Sequence, residues 1–353
     1  MKIAFLNDTF LVGRGADQVI YELAKRIGKK YKVYVLASEA DFSEENFKIK
    51  KVKAQKLLTG TWKDFLFFKN ALAYRKAAKK YDVINLHHGT LNIALKGLPN
   101  VVVTYHGSPK DDKESSKVRK KGREIINAFG VKSLKKVSKI IAISEYIKKE
   151  LIKKDINHSK IKVIYDGVSD VFVSSGEDDN FMLYVGRLEK HKRVEKLIQL
   201  SKDLNFKLKI VGYGPEVHKL KKLAKGMIAP CEFYGKVSQE KVLRLYQTCS
   251  FFASASNWEG FGLIFLEAAR CAKPSLAFKV AAIPEVVFNK STGFLAKNDF
   301  EFSEYAKILI NYPDLRKEMG EKALAFSQGF SWDSSAKEYQ KVFEEIYQKS
   351  SPR

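Results

Sequence analysis

The chain has 353 residues, 45% hydrophobic and 29% charged, which is length enough for two α/β domains with a core each. Its 64 Lys and Arg against 40 Asp and Glu give a net charge of +24, and no apolar run approaches the roughly 20 residues that a membrane-spanning helix needs. Cys231, Cys249 and Cys271 have neither disulfide nor metal-ligand spacing, which excludes a cysteine-stapled secreted domain and points to core thiols in a cytosolic setting.

Short β-rich runs alternate with helical periods throughout, the pattern of parallel sheets covered by helices. Lys2–Leu6 is the first strand, and the stretch MKIAFLNDTF is too short and too soon polar for a signal peptide. FLVGRGADQ follows, with Gly13 and Gly15 opening a helix over Ala16–Arg26. This is near a dinucleotide fingerprint, but Gln18 stands where the third glycine belongs, so a plain strand-to-helix turn remains open.

Further strands are expected at Lys32–Leu36, Val83–Leu86, Val101–Tyr105, Ile140–Ile143 and Lys162–Ile164, with a helix over Lys63–Lys80. That stretch sets Trp62, Phe65, Leu66, Phe68, Leu72 and Tyr74 among Lys63, Lys69, Arg75, Lys76, Lys79 and Lys80. An interfacial helix looks like this, and so does a core helix with a solvated basic face. NLHHGT ends one strand with His87 and His88, and VTYHGSP ends the next with His106, the best placed of the six histidines. For His87 and His88 a satisfied loop histidine is the ordinary reading. A basic cluster (Lys113, Lys117, Arg119, Lys120, Lys121, Arg123) comes next, and Ser144 suits a helix N-cap. Residues 1–170 hold 36 Lys and Arg against 18 Asp and Glu, whereas residues 171–353 hold 28 against 22. So basic a first half attracts an anionic partner, unless its lysines are ordinary solvated charge.

Ser169–Asn180, SDVFVSSGEDDN, reads as a linker dividing domains 1–168 and 169–330. The rhythm restarts with strands expected at Phe181–Val185, Lys207–Val211, Cys231–Tyr234, Phe251–Ala253 and Pro274–Ala277. Two doubly wound domains create a cleft, and ligands of such sheets bind outside the carboxyl ends of the strands. There GRLEKHKRVEKLI places Arg187 and Lys192, a forked guanidinium and an ammonium able to neutralise a diphosphate. VGYGPE (Val211–Glu216) is a second glycine turn. NWEGFGLIFLEAARC (Asn257–Cys271) then runs from a turn containing Glu259 into a helix apolar nearly all round except for Glu267. An ionised Glu buried there must find donors in the protein or bind a ligand's hydroxyls, and the N–H groups of Gly262 and Leu263 open the helix where phosphates bind. Trp332, Ala336, Tyr339, Val342, Phe343 and Ile346 then recur at helical spacing, giving the tail 331–353 an apolar face.

The Glu259-x7-Glu267 segment, with Arg187, Lys192, VGYGPE, FYGKVSQEKVLRLYQ and the closing FSWDSSAKEY, resembles the retaining glycosyltransferases of the GT-B fold, family four (glycosyl transferases group 1). The resemblance covers nearly the whole chain and is more specific in the second domain. It implies two Rossmann-like doubly wound domains facing a cleft, the first binding the acceptor and the second the nucleotide sugar, with the last helix crossing back onto the first. It implies transfer of a hexose, with retention, from a UDP- or GDP-sugar to an acceptor hydroxyl, with no cofactor. Because Asp-x-Asp is missing, protein cations and the helix dipole rather than a metal are expected to neutralise the diphosphate, and the basic first half points to a lipid-linked acceptor, with a glycan as the other choice. By the same resemblance Glu259 contacts the sugar and Glu267 the ribose. Arg187 and Lys192 hold the diphosphate, the backbone around Gly235–Val237 recognises the base, Gly15 approaches the donor phosphate, and His106 lies near the transferred sugar.

Arg14 and Asp17 depart from the family's usual glycine-rich loop. AAIPEV (Ala281–Val286) stands where Gly-Gly-Ile-Pro-Glu is usual, and Cys271-Ala272-Lys273 where Cys-Gly-Lys is usual. An alanine at a turn needing positive φ would be strained, so these two loops are expected to differ locally. The chain has no Asp-x-Asp, HExxH, CxxC or Walker loop. The rival enzymes are an inverting transferase or a sugar-nucleotide epimerase on the same scaffold. The rival from another class is a basic nucleic-acid-binding protein, which would lack any helix-turn-helix, zinc or RNP pattern. The expected location is cytoplasmic, peripheral to an anionic membrane surface if the basic first half binds one.

Overall fold

The computed structural model of the chain describes residues 1–53, 72–87, 95, 97–107, 130–226 and 231–350. They fall into two compact units, Met1–Asp166 with Trp332–Arg353, and Gly167–Ser331.

The first unit is built on β1 (Lys2–Leu6), β2 (Thr9–Phe10), β3 (Lys32–Ala37), β4 (Glu39–Ala40), β5 (Lys48–Lys51), β6 (Val83–Leu86), β7 (Val101–Tyr105), β8 (Lys139–Ala142) and β9 (Ile161–Val163). Seven of these form one parallel sheet in the order β5-β3-β1-β6-β7-β8-β9, while β2 and β4 pair separately. The chain thus starts in the middle, winds outward to β5, then returns to the other side of β1 at β6, which is the doubly wound arrangement with its switch point between β1 and β6. Ile3, Ala4, Phe5 and Leu6 and Val101, Val102 and Val103 are wholly buried. Continuous apolar runs are what a parallel sheet covered on both faces requires.

The helix Gly15–Ile27 buries Val19, Ile20, Leu23, Ala24 and Ile27. The helix Glu145–Ile152 starts at Ser144, whose Oγ accepts the Ile147 N–H at 3.1 Å. The C-terminal helix Trp332–Ser350 belongs to this unit. Its apolar face is buried, with Phe343 edge-on to Phe5 at 6.0 Å, and Arg26 reaches Asp333 at 2.5 Å. The expected helix Lys63–Lys80 is seen as helix over 72–78, and Leu72 is largely exposed. The aromatic and basic residues expected at 62–69, the cluster 113–123 and His88 lie outside the described residues.

The second unit holds β10 (Met182–Val185), β11 (Leu208–Val211), β12 (Cys231–Gly235), β13 (Phe251–Ser254), β14 (Ser275–Phe278) and β15 (Gly293–Ala296). Its parallel sheet has the order β12-β11-β10-β13-β14-β15, the nucleotide-binding order 3-2-1-4-5-6, with the switch point between β10 and β13. Ser169–Asn180 carries no helix or strand, as a linker should, yet it is strapped to this unit. Asp179 N–H donates to the Thr248 carbonyl at 2.7 Å, and Arg316 meets Asp178 at 2.8 Å. Strand bounds differ from expectation by a residue or so, and β2, β4, β5 and β15 are additions, each of four residues or fewer.

Candidate active site

At the carboxyl edge of the second sheet, three loops are joined backbone to backbone. Gly186 N–H donates to the Val211 carbonyl at 3.0 Å, Gly212 N–H to Gly235 at 2.9 Å, and Leu188 N–H to Tyr213 at 2.9 Å. Gly212 has φ +135, and a Cβ there would lie 1.8 Å from the Gly186 oxygen, so any side chain would push the β10 and β11 loops apart. Tyr184, buried in β10, donates its hydroxyl to the Arg187 carbonyl at 2.9 Å. Arg187 is thereby set on a braced turn, with a half-exposed side chain paired to Glu189 at 2.8 Å. Val237, just beyond β12, is half-buried beside Gly235.

Lys192 ends the short 3-10 turn Lys190–Lys192. The Asn257 N–H donates to the His191 carbonyl at 2.9 Å, tying this turn to the loop after β13. The tie brings together residues from opposite sides of the switch point. Lys192 Nζ lies 2.6 and 2.8 Å from the two carboxylate oxygens of Glu259, with both side chains largely buried. Removing a carboxylate from water is costly, and a bidentate ammonium offsets much of that cost.

The helix Leu263–Arg270 follows, capped by Gly262 at φ +108 with no side-chain cap. A Cβ on Gly262 would stand 2.7 Å from the Phe265 ring, so glycine is needed for both conformation and space. The first N–H groups of a helix have no intrahelical acceptor, and those of Gly262 and Leu263 find none elsewhere among the described residues. They form the positive end of the helix dipole. One turn further in, Glu267 accepts a hydrogen bond from the Tyr246 hydroxyl at 2.9 Å. Desolvation pushes its pKa up to about 7, and the Tyr246 bond offsets only part of this.

The two alanine loops do not differ in the way expected. Ala272 and Ala281 both adopt the left-handed conformation, with φ +54 and +51. Lys273 N–H donates to the Ala268 carbonyl at 2.9 Å, the closing bond of a Schellman turn, and Ala282 N–H donates to the Glu259 carbonyl at 3.3 Å. Hydrogen bonding holds alanine where glycine is usual.

In the first unit, Gly15 begins the helix after β1, preceded by Gly13 at φ +87. Asp17 organises this loop. Its buried carboxylate accepts from the Asn7 side chain, from Leu11 N–H at 2.9 Å and from the Thr9 hydroxyl at 3.3 Å, while Arg14 donates to Thr9 at 2.7 Å. The departures Arg14 and Asp17 are thus the struts of the turn. His106 follows β7 and lies 3.0 Å, Nε2 to Nδ1, from His87, which follows β6. His87 Nε2 in turn lies 2.7 Å from Asn85 Oδ1. Burial holds both imidazoles neutral at pH 7, His106 with a pKa of about 4 and His87 well below its ordinary value.

The second unit therefore collects Arg187, Lys192, Gly235, Val237, Glu259, Gly262, Leu263 and Glu267 at one sheet edge and the helix leaving it, and the first unit carries Gly15 and His106 at the same edge of its own sheet. Tyr184, Tyr246 and Asn85 are not singled out by the sequence, and His87 is read there as a weaker candidate than His106, with a satisfied loop histidine as its ordinary reading. Only the Asn85/His87 pair left a signal, since residues two apart on a strand share a face. The described residues contain no group of three or more His, Cys, Asp or Glu able to hold a metal, and no helix long and apolar enough to cross a membrane.

Comparison with known proteins matches residues 13–171 to the model described as Glycosyltransferase Family 4 and residues 168–326 to Glycosyl transferases group 1. The chain is 33% identical over 275 residues to the uncharacterized glycosyltransferase MJ1178 of Methanocaldococcus jannaschii, covering 75% of this chain and 76% of that protein. It is 24% identical over 378 aligned positions to a Campylobacter jejuni protein, GalNAc-alpha-(1->4)-GalNAc-alpha-(1->3)-diNAcBac-PP-undecaprenol alpha-1,4-N-acetyl-D-galactosaminyltransferase, covering 98% of this chain and 99% of that one. Among solved structures, Anabaena Alr3699/HepE in complex with UDP-glucose superposes with a TM-score of 0.81 at 20% identity, covering 98% of this chain and all of that one.

Proposed function

The chain belongs to the family 4 glycosyltransferases, glycosyl transferases group 1, with the GT-B fold, and from that premise we propose that it moves a hexose from a UDP- or GDP-sugar to an acceptor hydroxyl with retention at the anomeric carbon. The observation that carries this reading is the pairing of Lys192 with Glu259 beside the unsatisfied N–H groups of Gly262 and Leu263, one helical turn before Glu267. A cation and two backbone donors face a departing diphosphate there, and two carboxylates are at hand for sugar and ribose hydroxyls.

In this mechanism the bond from C1 to the phosphate oxygen lengthens into an oxocarbenium-like state. Charge growing on the leaving diphosphate is met by Arg187, Lys192 and the helix N-terminus, so that transfer persists in EDTA. The departing phosphate oxygen takes the proton of the incoming acceptor hydroxyl as the new C1–O bond forms on the same face. Glu259 holds the sugar, Glu267 the ribose, and the Gly235–Val237 backbone the base. Gly15 and His106 serve the acceptor-binding unit. The UDP-glucose bound by the Anabaena protein and the undecaprenol-linked acceptor in the Campylobacter protein's name support a nucleotide-sugar donor and a lipid-linked or glycan acceptor. The basic residues 1–170 support a cytoplasmic enzyme held at an anionic membrane surface.

A thermal-shift panel of UDP- and GDP-sugars tests the donor assignment, because a ligand that binds only the folded state stabilises it by RT ln(1 + [L]/Kd). A shift with one sugar nucleotide, lost in Glu267→Gln, is expected. The absence of any shift across the panel would remove the donor assignment.

A further inference from the structure

The contact between His106 and His87 continues into the first unit as a chain of hydrogen bonds whose direction can be worked out from its far end. Asn85 Nδ2 lies 3.3 Å from the Val102 carbonyl, which can only accept, and 3.0 Å from the Thr104 hydroxyl. The amide is therefore fixed with its nitrogen toward β7 and its oxygen toward His87. Since Asn85 Oδ1 can only accept, His87 must carry its proton on Nε2. A neutral His87 then presents a bare Nδ1, and the 3.0 Å contact requires His106 to donate from Nε2. The remaining ring nitrogen of His106, Nδ1, has no partner among the described residues. Thr104 extends the chain to the Tyr339 hydroxyl at 3.3 Å, so the C-terminal helix backs it. Asn85 and Thr104 are wholly or almost wholly buried and His87 is 4% exposed, so water does not compete for these bonds.

We propose that Asn85 and His87 are positioning residues that lock His106 as its Nε2–H tautomer, leaving Nδ1 as a fixed hydrogen-bond acceptor for a hydroxyl of the carbohydrate ligand. The consequence for specificity is directional. A ligand group that donates, a sugar hydroxyl, is accepted at His106, and the corresponding deoxy or O-methyl sugar leaves Nδ1 unpaired and is disfavoured. This rests on His106 being a ligand-contacting residue, as set out above, and adds how its contact is oriented.

The test is 15N NMR of the full-length protein labelled at histidine, with His106 assigned by its loss in His106→Ala. The wild type is expected to give a pyrrole-type resonance for His106 Nε2 and a pyridine-type resonance for Nδ1 at neutral pH. Asn85→Leu removes the anchor, so the two nitrogens should move toward averaged values while transfer falls on the order of tenfold, the low end of what loss of a histidine's outer partner costs. A merely structural role for Asn85 would leave the tautomer signature unchanged. A proton on Nδ1 in the wild type overturns the proposal whether or not the variant folds, and so does an unaltered signature in folded Asn85→Leu. Full transfer activity in His106→Ala, with the Nε2–H signature present in the wild type, would instead remove the role of His106 while leaving the relay standing.

Discussion

Lys192 and Glu259 stand 67 positions apart in sequence and meet as a bidentate, largely buried ion pair at the switch point of the second sheet. The lysine proposed to meet the leaving diphosphate is thus already held by the carboxylate proposed to hold the sugar. Removing either partner leaves the other charge buried and uncompensated. Lys192→Ala is expected to destabilise the protein by about 3 kcal/mol and to cut transfer on the order of 10²-fold. Arg187, half-exposed and paired among the described residues only with Glu189, should show the second effect without the first. Urea unfolding beside steady-state kinetics separates the two. Equal stability losses in both variants would contradict the distinction.

Glu259→Gln and Glu267→Gln should differ in kind. Neutralising Glu259 releases Lys192 toward the phosphates, so UDP or GDP should bind at least as tightly while transfer slows. Glu267→Gln should weaken the free nucleotide. The Glu267 carboxyl titrates near 7 because it is desolvated, and a carboxylate accepts ribose hydroxyls better than a neutral acid. Nucleotide affinity should therefore rise with pH through about 7 in the wild type, in excess of any rise seen in Glu267→Gln. Calorimetry across that window reads the difference directly, and parallel profiles would assign the titration elsewhere.

Asp166 offers a test of the fold. It is 3% exposed, its Oδ1 has no partner among the described residues, and burial pushes its pKa up to about 8 from 3.8. The folded-state pKa lies above the unfolded one, so the folded protein binds the extra proton between them. Its contribution to stability is fully present below about pH 4 and is lost as pH rises through about 8. Asp166→Asn should stabilise the protein by on the order of 1–3 kcal/mol at alkaline pH and hardly at all in acid. Denaturant midpoints at the two extremes check this, and a gain of equal size at both would point to packing.

Ala272 and Ala281 sit where the left-handed backbone costs an L-residue roughly 1 kcal/mol. Replacing either by glycine should recover part of that, raising the unfolding midpoint without altering transfer. A destabilised Ala272→Gly would mean that the turn relaxes in solution to a conformation alanine prefers.

These cases also show what could be read from sequence. The strands of both sheets were legible because a strand covered on both faces must be a continuous apolar run, as in Val101–Val103 and Phe251–Ala253. Arg187, Lys192, Glu259 and Glu267 were legible as candidates because each stands just after a strand or alone on an apolar helix. Their partners were not. Nothing local to Glu267 announces the Tyr246 hydroxyl, which arrives from another helix, and Asp17 reads as an anomaly in a glycine-rich loop until Asn7, Thr9 and Leu11 are seen to converge on it. The alanine loops were misjudged because the penalty of a positive φ is visible in sequence, whereas the hydrogen bonds that outweigh it come from Ala268 and Glu259 only once the chain is folded.

Retention of configuration is what the donor site proposed for the second unit requires. It is tested most directly by proton NMR of the first product formed from the sugar nucleotide that the thermal-shift panel selects. An α-configured donor is expected to yield the small anomeric coupling of an α-linked product from the earliest time point, and the signal should grow more slowly in Glu259→Gln. A β-linked product at that first time point would contradict it.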